Sequence, residues 1–97
     1  MRTVRRDPQF EEQASRIQSN ARRLDEVLES VEWSIAEAAE SWHLVEGPGG
    51  TAVRLAITTA FPDVAPALWI YFTIDDDHYC TLRSVEIAMP LRLVPSR

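Results

Sequence analysis

The spacing of apolar side chains along the first half of the chain is helical. They recur every three or four positions, which places them on one face of a helix. Two runs show this spacing: Phe10, Ala14, Ile17, Ala21 and Leu24, followed by Leu24, Val27, Leu28, Val31, Ile35, Ala38 and Trp42. Asp7-Pro8 precedes the first run as a helix start, since Asp accepts free amide hydrogens and Pro suits the first helical position. With Ser19-Asn20 as the break between the runs, the pattern predicts a hairpin of two helices that ends near Trp42.

After Gly47-Pro48-Gly49-Gly50 the apolar period changes from helical to alternating, as it does in strands. Residues 51–59 place Val53, Leu55 and Ile57 on one side and more polar residues on the other. This alternation predicts a strand with one buried face, and we expect the three aliphatic side chains to point at the helices.

Two longer strands are predicted to follow as a hairpin. Residues 67–75 are apolar or aromatic almost throughout, which is typical of a central strand, and residues 79–87 form the returning strand after an acidic turn at 75–78. Residues 2–6 predict a short first strand. The order is therefore β-α-α-β-β-β, and we expect one α+β domain over residues 1–97, with a helical hairpin packed on a mainly antiparallel sheet.

Charge is distributed unevenly along the chain, although the net charge is only −5. All ten basic residues are Arg; six of them lie in residues 1–23 with three acids, whereas residues 24–46 carry seven acids and no base. Proteins that hold nucleic acid over a broad surface are usually basic. Any contact with RNA or DNA is therefore expected to be local.

Several classes of protein are excluded by what the chain contains. Its single cysteine, Cys80, forms no internal disulfide and is expected to be a small buried apolar residue. One Cys with two distant His gives no zinc spacing, and three acids in the turn at 75–77 lack the spacing of a calcium loop. Without a signal sequence or a membrane-spanning apolar run, we expect a cytoplasmic protein with no metal and no cofactor.

One group of residues has the composition of a binding site. If the aliphatic residues of the predicted strands face the helices, Arg54, Trp69 and Tyr71 lie together on the open face of the sheet, and Arg83 joins them if Leu82 points inward. Arginines beside exposed aromatics can hold a phosphate and stack a base. The alternative is an ordinary solvated face on which arginine stems cover the indole of Trp69.

Three segments of the chain resemble the RelE/ParE superfamily of toxins from bacterial type II toxin–antitoxin systems. They are RTVRRDPQFEEQ at 2–13, RLDEVLESVEWSI at 23–35 and PALWIYFTIDDDHYCTLRSVEIA at 66–88. The resemblance extends over residues 1 to about 88. It implies a helical hairpin on an antiparallel sheet, and a cognate antitoxin that neutralises this chain by wrapping it with an extended or helical segment.

The resemblance also implies one of two activities, cleavage of ribosome-bound messenger RNA or poisoning of DNA gyrase without nuclease activity. In the first case it implies a metal-independent endoribonuclease, in which the RNA 2′-hydroxyl attacks the adjacent phosphate. Arg54 and Arg83 would then be catalytic clamps on the phosphate, and Tyr71 would stack or transfer a proton. Trp69 and Arg92 would bind the substrate, with charge stabilisation supplying most of the rate.

The charge of the chain favours a second interpretation. Ribonuclease members of the superfamily are usually strongly basic, whereas this chain is acidic, contains no Lys and ends in PLRLVPSR without a basic and aromatic cluster. The alternative is a non-catalytic binding module, or an inactive homologue, with the same fold. Exposed aromatics such as Trp33 or Trp69 leave a homodimer open as well.

Overall fold

The structure, a computed structural model, describes residues 1–60 and 65–88. Within these ranges the chain forms a five-stranded sheet with two helices packed on one of its faces, which confirms the α+β class. The elements are β1 (Thr3–Arg6), α1 (Pro8–Gln18), α2 (Leu24–Ala38), β2 (His43–Glu46), β3 (Ala52–Ile57), β4 (Leu68–Ile74) and β5 (Tyr79–Ile87). The strand order is β1-β5-β4-β3-β2; β1 runs parallel to β5 and every other pair is antiparallel.

The first helix begins where the sequence predicts and covers one edge of β5. The Asp7 carboxylate accepts a hydrogen bond from the backbone N–H of Gln9 at 2.9 Å, and Pro8 occupies the first helical turn. Because β1 ends at Arg6, no strand within residues 1–60 and 65–88 lies beside the second half of β5 on that edge. The side chain of Gln13 takes the place of a strand by accepting a hydrogen bond from the N–H of Val85 at 2.8 Å.

The structure contains a strand that the sequence pattern did not predict. Helix α2 ends at Ala38, a 3-10 turn follows at Ala39–Ser41, and β2 then pairs with β3. Trp42 matches the helical spacing because it packs on the core, but it does so from outside the helix. The glycines expected to end the helical half instead close the β2–β3 hairpin, where Gly49 and Gly50 adopt positive φ angles of 68° and 78°.

The predicted orientation of β3 is wrong. Residues directly opposite each other in an antiparallel pair share a face, and Arg54 and Ala56 lie opposite Phe72 and Ile70, whose side chains are fully buried beneath the helices. Arg54 therefore lies on the helix side of the sheet, and the three aliphatic residues of β3 lie on the open face. The alternation was correct, but the larger apolar set does not face the core, because Ala56 fills the limited space under the helices.

The core lies between the helices and the inner face of β3, β4 and β5. Its largest fully buried side chains are Phe10, Leu24, Leu28, Ile35, Leu68, Ile70, Phe72, Cys80 and Leu82. Burial of Cys80 confirms the prediction for that residue and raises the pKa of its thiol.

Two arginines fix the turn between α2 and β2. The guanidinium of Arg54 donates to the carbonyl oxygens of Glu40 and Trp42, both at 2.9 Å. Arg2 makes a bidentate ion pair with Glu40 at 2.9 and 2.6 Å and donates to the carbonyl oxygen of Asp76 at 2.9 Å. The turn is thereby attached to β3, to the start of the chain and to the β4–β5 turn.

We expect Arg54→Ala to destabilise the fold by about 1–2 kcal/mol, because two carbonyl groups lose a charged hydrogen-bond donor. Urea denaturation followed by circular dichroism measures the change. Arg16→Ala is the matched control: its ion pair with Glu12 is exposed on one helix, so its loss costs at most about 0.5 kcal/mol. Equal effects of the two substitutions would show that Arg54 is not a structural anchor.

The Arg2–Glu40 ion pair makes stability depend on pH. The Arg2 guanidinium and the Glu40 backbone N–H lower the pKa of the Glu40 carboxyl to about 2 from 4.5. A depressed folded-state pKa contributes stability above the unfolded value, so this contribution is lost as the pH falls from about 4.5 to about 2. We expect Glu40→Gln to lower Tm at neutral pH and to flatten the fall of Tm over that window. A pH profile identical to that of the parent chain would contradict this assignment.

Candidate functional site

The open face of the sheet, which the helices do not cover, has an apolar half and a polar half. Strand alternation and register place six mostly half-buried apolar and aromatic side chains on the first half. We call them the apolar strip; they are Val45, Val53, Leu55, Ile57, Trp69 and Tyr71. The most exposed member of the strip is Ile57, which is 47% exposed.

The polar half contains an ion-pair cluster formed by Arg5, Asp7, Asp75 and Arg83. The Arg83 guanidinium lies 3.3 Å from Asp7 Oδ2 and 3.6 Å from Asp75 Oδ1. Arg5 contacts the other oxygen of Asp75 at 3.1 Å and lies 4.2 Å from the centre of the Tyr79 ring. Two cations and two carboxylates therefore neutralise each other on this half of the face.

A β-bulge directs Arg83 onto the open face. Tyr71 lies opposite Ser84 and Phe72 lies opposite Leu82, so Arg83 is the extra residue on β5. Arg83 and Ser84 consequently both point to the open face, while Leu82 remains in the core. The Arg83 Nε donates to the Thr73 hydroxyl at 3.1 Å, which holds the guanidinium along the sheet.

Asp75 is the centre of this cluster. Its side chain is 22% exposed and accepts hydrogen bonds from the hydroxyls of Thr73 and Thr81 as well as from Arg5. Burial alone would raise the pKa of the Asp75 carboxyl, but these hydrogen bonds and the charge of Arg83 outweigh it and lower the pKa. The carboxylate is therefore ionised at neutral pH and retains both arginines.

Tyr71 links the apolar strip to the outer edge of β5. Its hydroxyl donates to Glu86 Oε1 at 3.2 Å. Burial and the neighbouring Glu86 carboxylate raise the pKa of the Tyr71 hydroxyl. The phenol is therefore protonated at neutral pH and acts as a hydrogen-bond donor, which makes it a poor proton acceptor.

A groove of about 530 Å³ crosses the open face between the β2–β3 hairpin and the ion-pair cluster. Its walls include Val45 and Val53 on one side, Tyr71 in the middle, and Thr73 and Arg83 at the polar end. Among the lining residues Arg83 is the sole cation, and its side chain is 46% exposed. The groove can accept an apolar group and offer one ion-paired guanidinium to a polar one.

The structure brings together three of the five site residues proposed from the sequence. Trp69, Tyr71 and Arg83 share the open face, and the last two line the same groove. Arg54 lies on the other side of the sheet, where it holds the α2–β2 turn. Arg92 lies outside the described residues.

Sequence reasoning missed the acidic members of the cluster. In the sequence Asp75 is one of three acids in a turn, and Asp7 is predicted only as a helix cap. In the structure Asp7 both caps α1 and pairs with Arg83 across 76 residues. A local signal was present at Asp75: Thr73 precedes it by one strand period, so a hydroxyl on the same face can reach the carboxylate.

Within residues 1–60 and 65–88, no group of three or more His, Cys, Asp or Glu side chains is arranged to hold a metal ion. In the same ranges, neither α1 nor α2 has the length and apolar character needed to cross a membrane.

We expect Asp75→Asn to destabilise the fold by roughly 2 kcal/mol, because it removes a carboxylate that accepts a charged hydrogen bond from Arg5 and forms an ion pair with Arg83. Chemical denaturation at neutral pH measures the loss. Asp77→Asn is the matched control, since this neighbouring carboxylate is exposed. If the two variants are equally stable, Asp75 does not organise the cluster.

Comparison with known proteins provides no family for this chain. No protein-family model, no curated protein and no solved structure matches it. The function of the open face must therefore be inferred from its geometry and from the resemblance found in the sequence.

Proposed function

We propose that this chain is a toxin-like component of a type II toxin–antitoxin pair of the RelE/ParE type. In this proposal a cognate antitoxin binds and neutralises it, and it acts on its target through the open face of the sheet. It works by binding a protein target rather than by cutting RNA. The resemblance offers DNA gyrase as the target of such members.

The order and placement of the elements support the proposal. A short first strand leads into a helical hairpin, and β1 then pairs with the final described strand, β5. Among the described residues, the hairpin covers one face of the sheet, and no helix lies on the other. One face is thus fixed by the fold, while the other is available for recognition.

The observation that carries the binding mode is the character of the open face. The apolar strip is continuous across β2, β3 and β4, and the cations beside it are already paired with carboxylates. Apolar and aromatic surface with few free charges is typical of protein interfaces, whereas RNA requires unpaired cations along its path. The face therefore suits a protein better than a phosphate backbone.

Messenger RNA cleavage is the second candidate, and one observation favours it: Tyr71 and Arg83 line the same groove. A metal-independent ribonuclease needs a proton acceptor and a free charge clamp. Arg83 is engaged by two carboxylates, the pKa of Tyr71 is raised, and Arg54 lies across the sheet. For these reasons we rank messenger RNA cleavage below binding of a protein target.

Inducible expression in a bacterial culture separates the two modes. The parent chain is expected to arrest growth, and Leu55→Glu is expected to relieve the arrest, because it places a charge in the middle of the apolar strip. Tyr71→Phe keeps the ring and loses the hydroxyl, so arrest by binding persists in this variant, whereas arrest by cleavage is lost. Leu44→Glu is the matched control: Leu44 is 61% exposed, and its pairing with Arg54 places it on the other side of the sheet.

Each outcome selects one interpretation. Relief by Tyr71→Phe with folding intact would favour the ribonuclease, and cleaved messenger RNA would then be visible by primer extension. Relief by Leu44→Glu as well as Leu55→Glu would show a loss of fold rather than of a binding face. No arrest at good soluble expression would sink the toxin proposal in that host and leave the non-catalytic binding module.

A further inference from the structure

The helical layer carries an exposed tryptophan that the fold does not use. Trp33 follows Leu24 by about two and a half helical turns, so it lies on the side of α2 opposite the buried residues. Its side chain is 58% exposed, whereas Leu24, Leu28 and Ile35 on the inner side are fully buried. A large aromatic in this position contributes little to core packing, and exposed tryptophans are typical anchors of protein interfaces.

The acids beside Trp33 are the ones that α2 leaves without a partner. Glu29 and Glu37 precede and follow Trp33 by one helical turn, which places all three side chains along one line of the helix. We call them the acidic–aromatic stripe. In the described part of the chain neither of these two carboxylates has a hydrogen bond or an ion pair.

The remaining acids of the helix are occupied. Asp25 accepts from Gln18, Glu26 pairs with Arg23 and Glu32 pairs with Arg6. The α2 carboxylates that have no partner in the described part of the chain are therefore the two on either side of the exposed indole. A guanidinium over the face of an indole gains a cation–π contact, and flanking carboxylates accept its N–H groups in the same plane.

We propose that the acidic–aromatic stripe binds an arginine-bearing segment of another protein. Charge complementarity favours such a partner, because the stripe combines an aromatic ring that can bind a cation with two unpaired carboxylates. This surface lies on the helical layer, away from the open face of the sheet, so the inference is independent of the proposed toxin activity.

A second copy of the chain fits the stripe poorly. Among the described residues, Arg22 is the one arginine that lacks a carboxylate or carbonyl partner. Pairing two copies through other arginines would break ion pairs that already exist. A partner that brings its own unpaired arginines has no such cost.

Titration of the isotope-labelled chain with an arginine-rich helical peptide tests the proposal by NMR. The chain has three tryptophans, and the cross-peak missing in Trp33→Ala identifies the indole N–H of Trp33. We expect this cross-peak to move on addition of the peptide while those of Trp42 and Trp69 stay in place. The same peptide with its arginines replaced by glutamates is expected to cause no change.

Calorimetry on variants measures the contribution of each part of the stripe. Trp33→Ala is expected to weaken binding about fivefold, the scale of one cation–π contact. The double variant Glu29→Gln/Glu37→Gln is expected to weaken it comparably and to reduce its salt dependence. Glu11→Gln/Asp77→Asn is the matched control, because it removes two exposed acids and the same net charge at other places.

Three results would overturn the proposal. The first is a Trp33 cross-peak that does not move, and the second is equal weakening by the matched control, which would reduce the effect to net charge. The third is a shift that depends on protein concentration alone, with a dimer in sedimentation that Trp33→Ala dissociates. That result would make a second copy of the chain the occupant.

A growth experiment distinguishes this surface from the open face of the sheet. We expect Trp33→Ala to arrest growth as strongly as the parent chain does.

Discussion

The parallel pairing of β1 with β5 is the contact on which the rest of the structure depends. It joins the beginning of the chain to its last described strand and requires the two helices between β1 and β2 to cross the sheet on one side. It also brings Arg5 and Asp7 next to Asp75 and Arg83, which are about 70 residues away in sequence. The ion-pair cluster is therefore a product of topology, and a chain that failed to pair these strands would lose both the hairpin docking and the site.

Much of the fold could be predicted because its signals are local. The helix start at Asp7, the break after Gln18 and the extent of β5 follow from capping chemistry and from apolar period. Strand β2 was not predicted, because the apolar spacing of the preceding helix continues as far as Trp42, the residue just before this strand. The site was only partly predictable: Tyr71 and Arg83 share a face as expected, but Arg54 does not, because small Ala56 rather than the larger aliphatic residues fills the inner side of β3. The face of a strand that turns toward the helices is decided by packing between the layers, and the sequence of that strand alone does not specify this packing.

The aromatic side chains on the sheet and those on the helical layer have different surroundings. On the sheet, Trp69 and Tyr71 lie in a continuous apolar strip beside neutralised charges, an arrangement suited to excluding water over a wide area. On the helices, Trp33 stands alone between Glu29 and Glu37, an arrangement suited to one cationic side chain. The folded chain neutralises most of the unevenly distributed charge, because most N-terminal arginines form ion pairs with acids of the helical layer or the acidic turn. The two carboxylates of α2 that have no partner in the described residues, Glu29 and Glu37, lie one helical turn before and after the Trp33 ring.

The bulge at Arg83 adds a charged residue to the open face without moving the core residues of β5, Leu82 and Val85. Two consecutive residues, Arg83 and Ser84, point the same way, so alternation resumes in phase on both sides of the insertion. Deletion of Arg83 would leave Leu82 and Val85 pointing inward and Ser84 pointing outward, and β5 would pair with β4 without a bulge. A residue at position 83 can thus be inserted or deleted while every other side chain of β5 stays on the same face of the sheet. One residue more or less in β5 therefore changes the charge of the open face while the core residues of the strand stay in place.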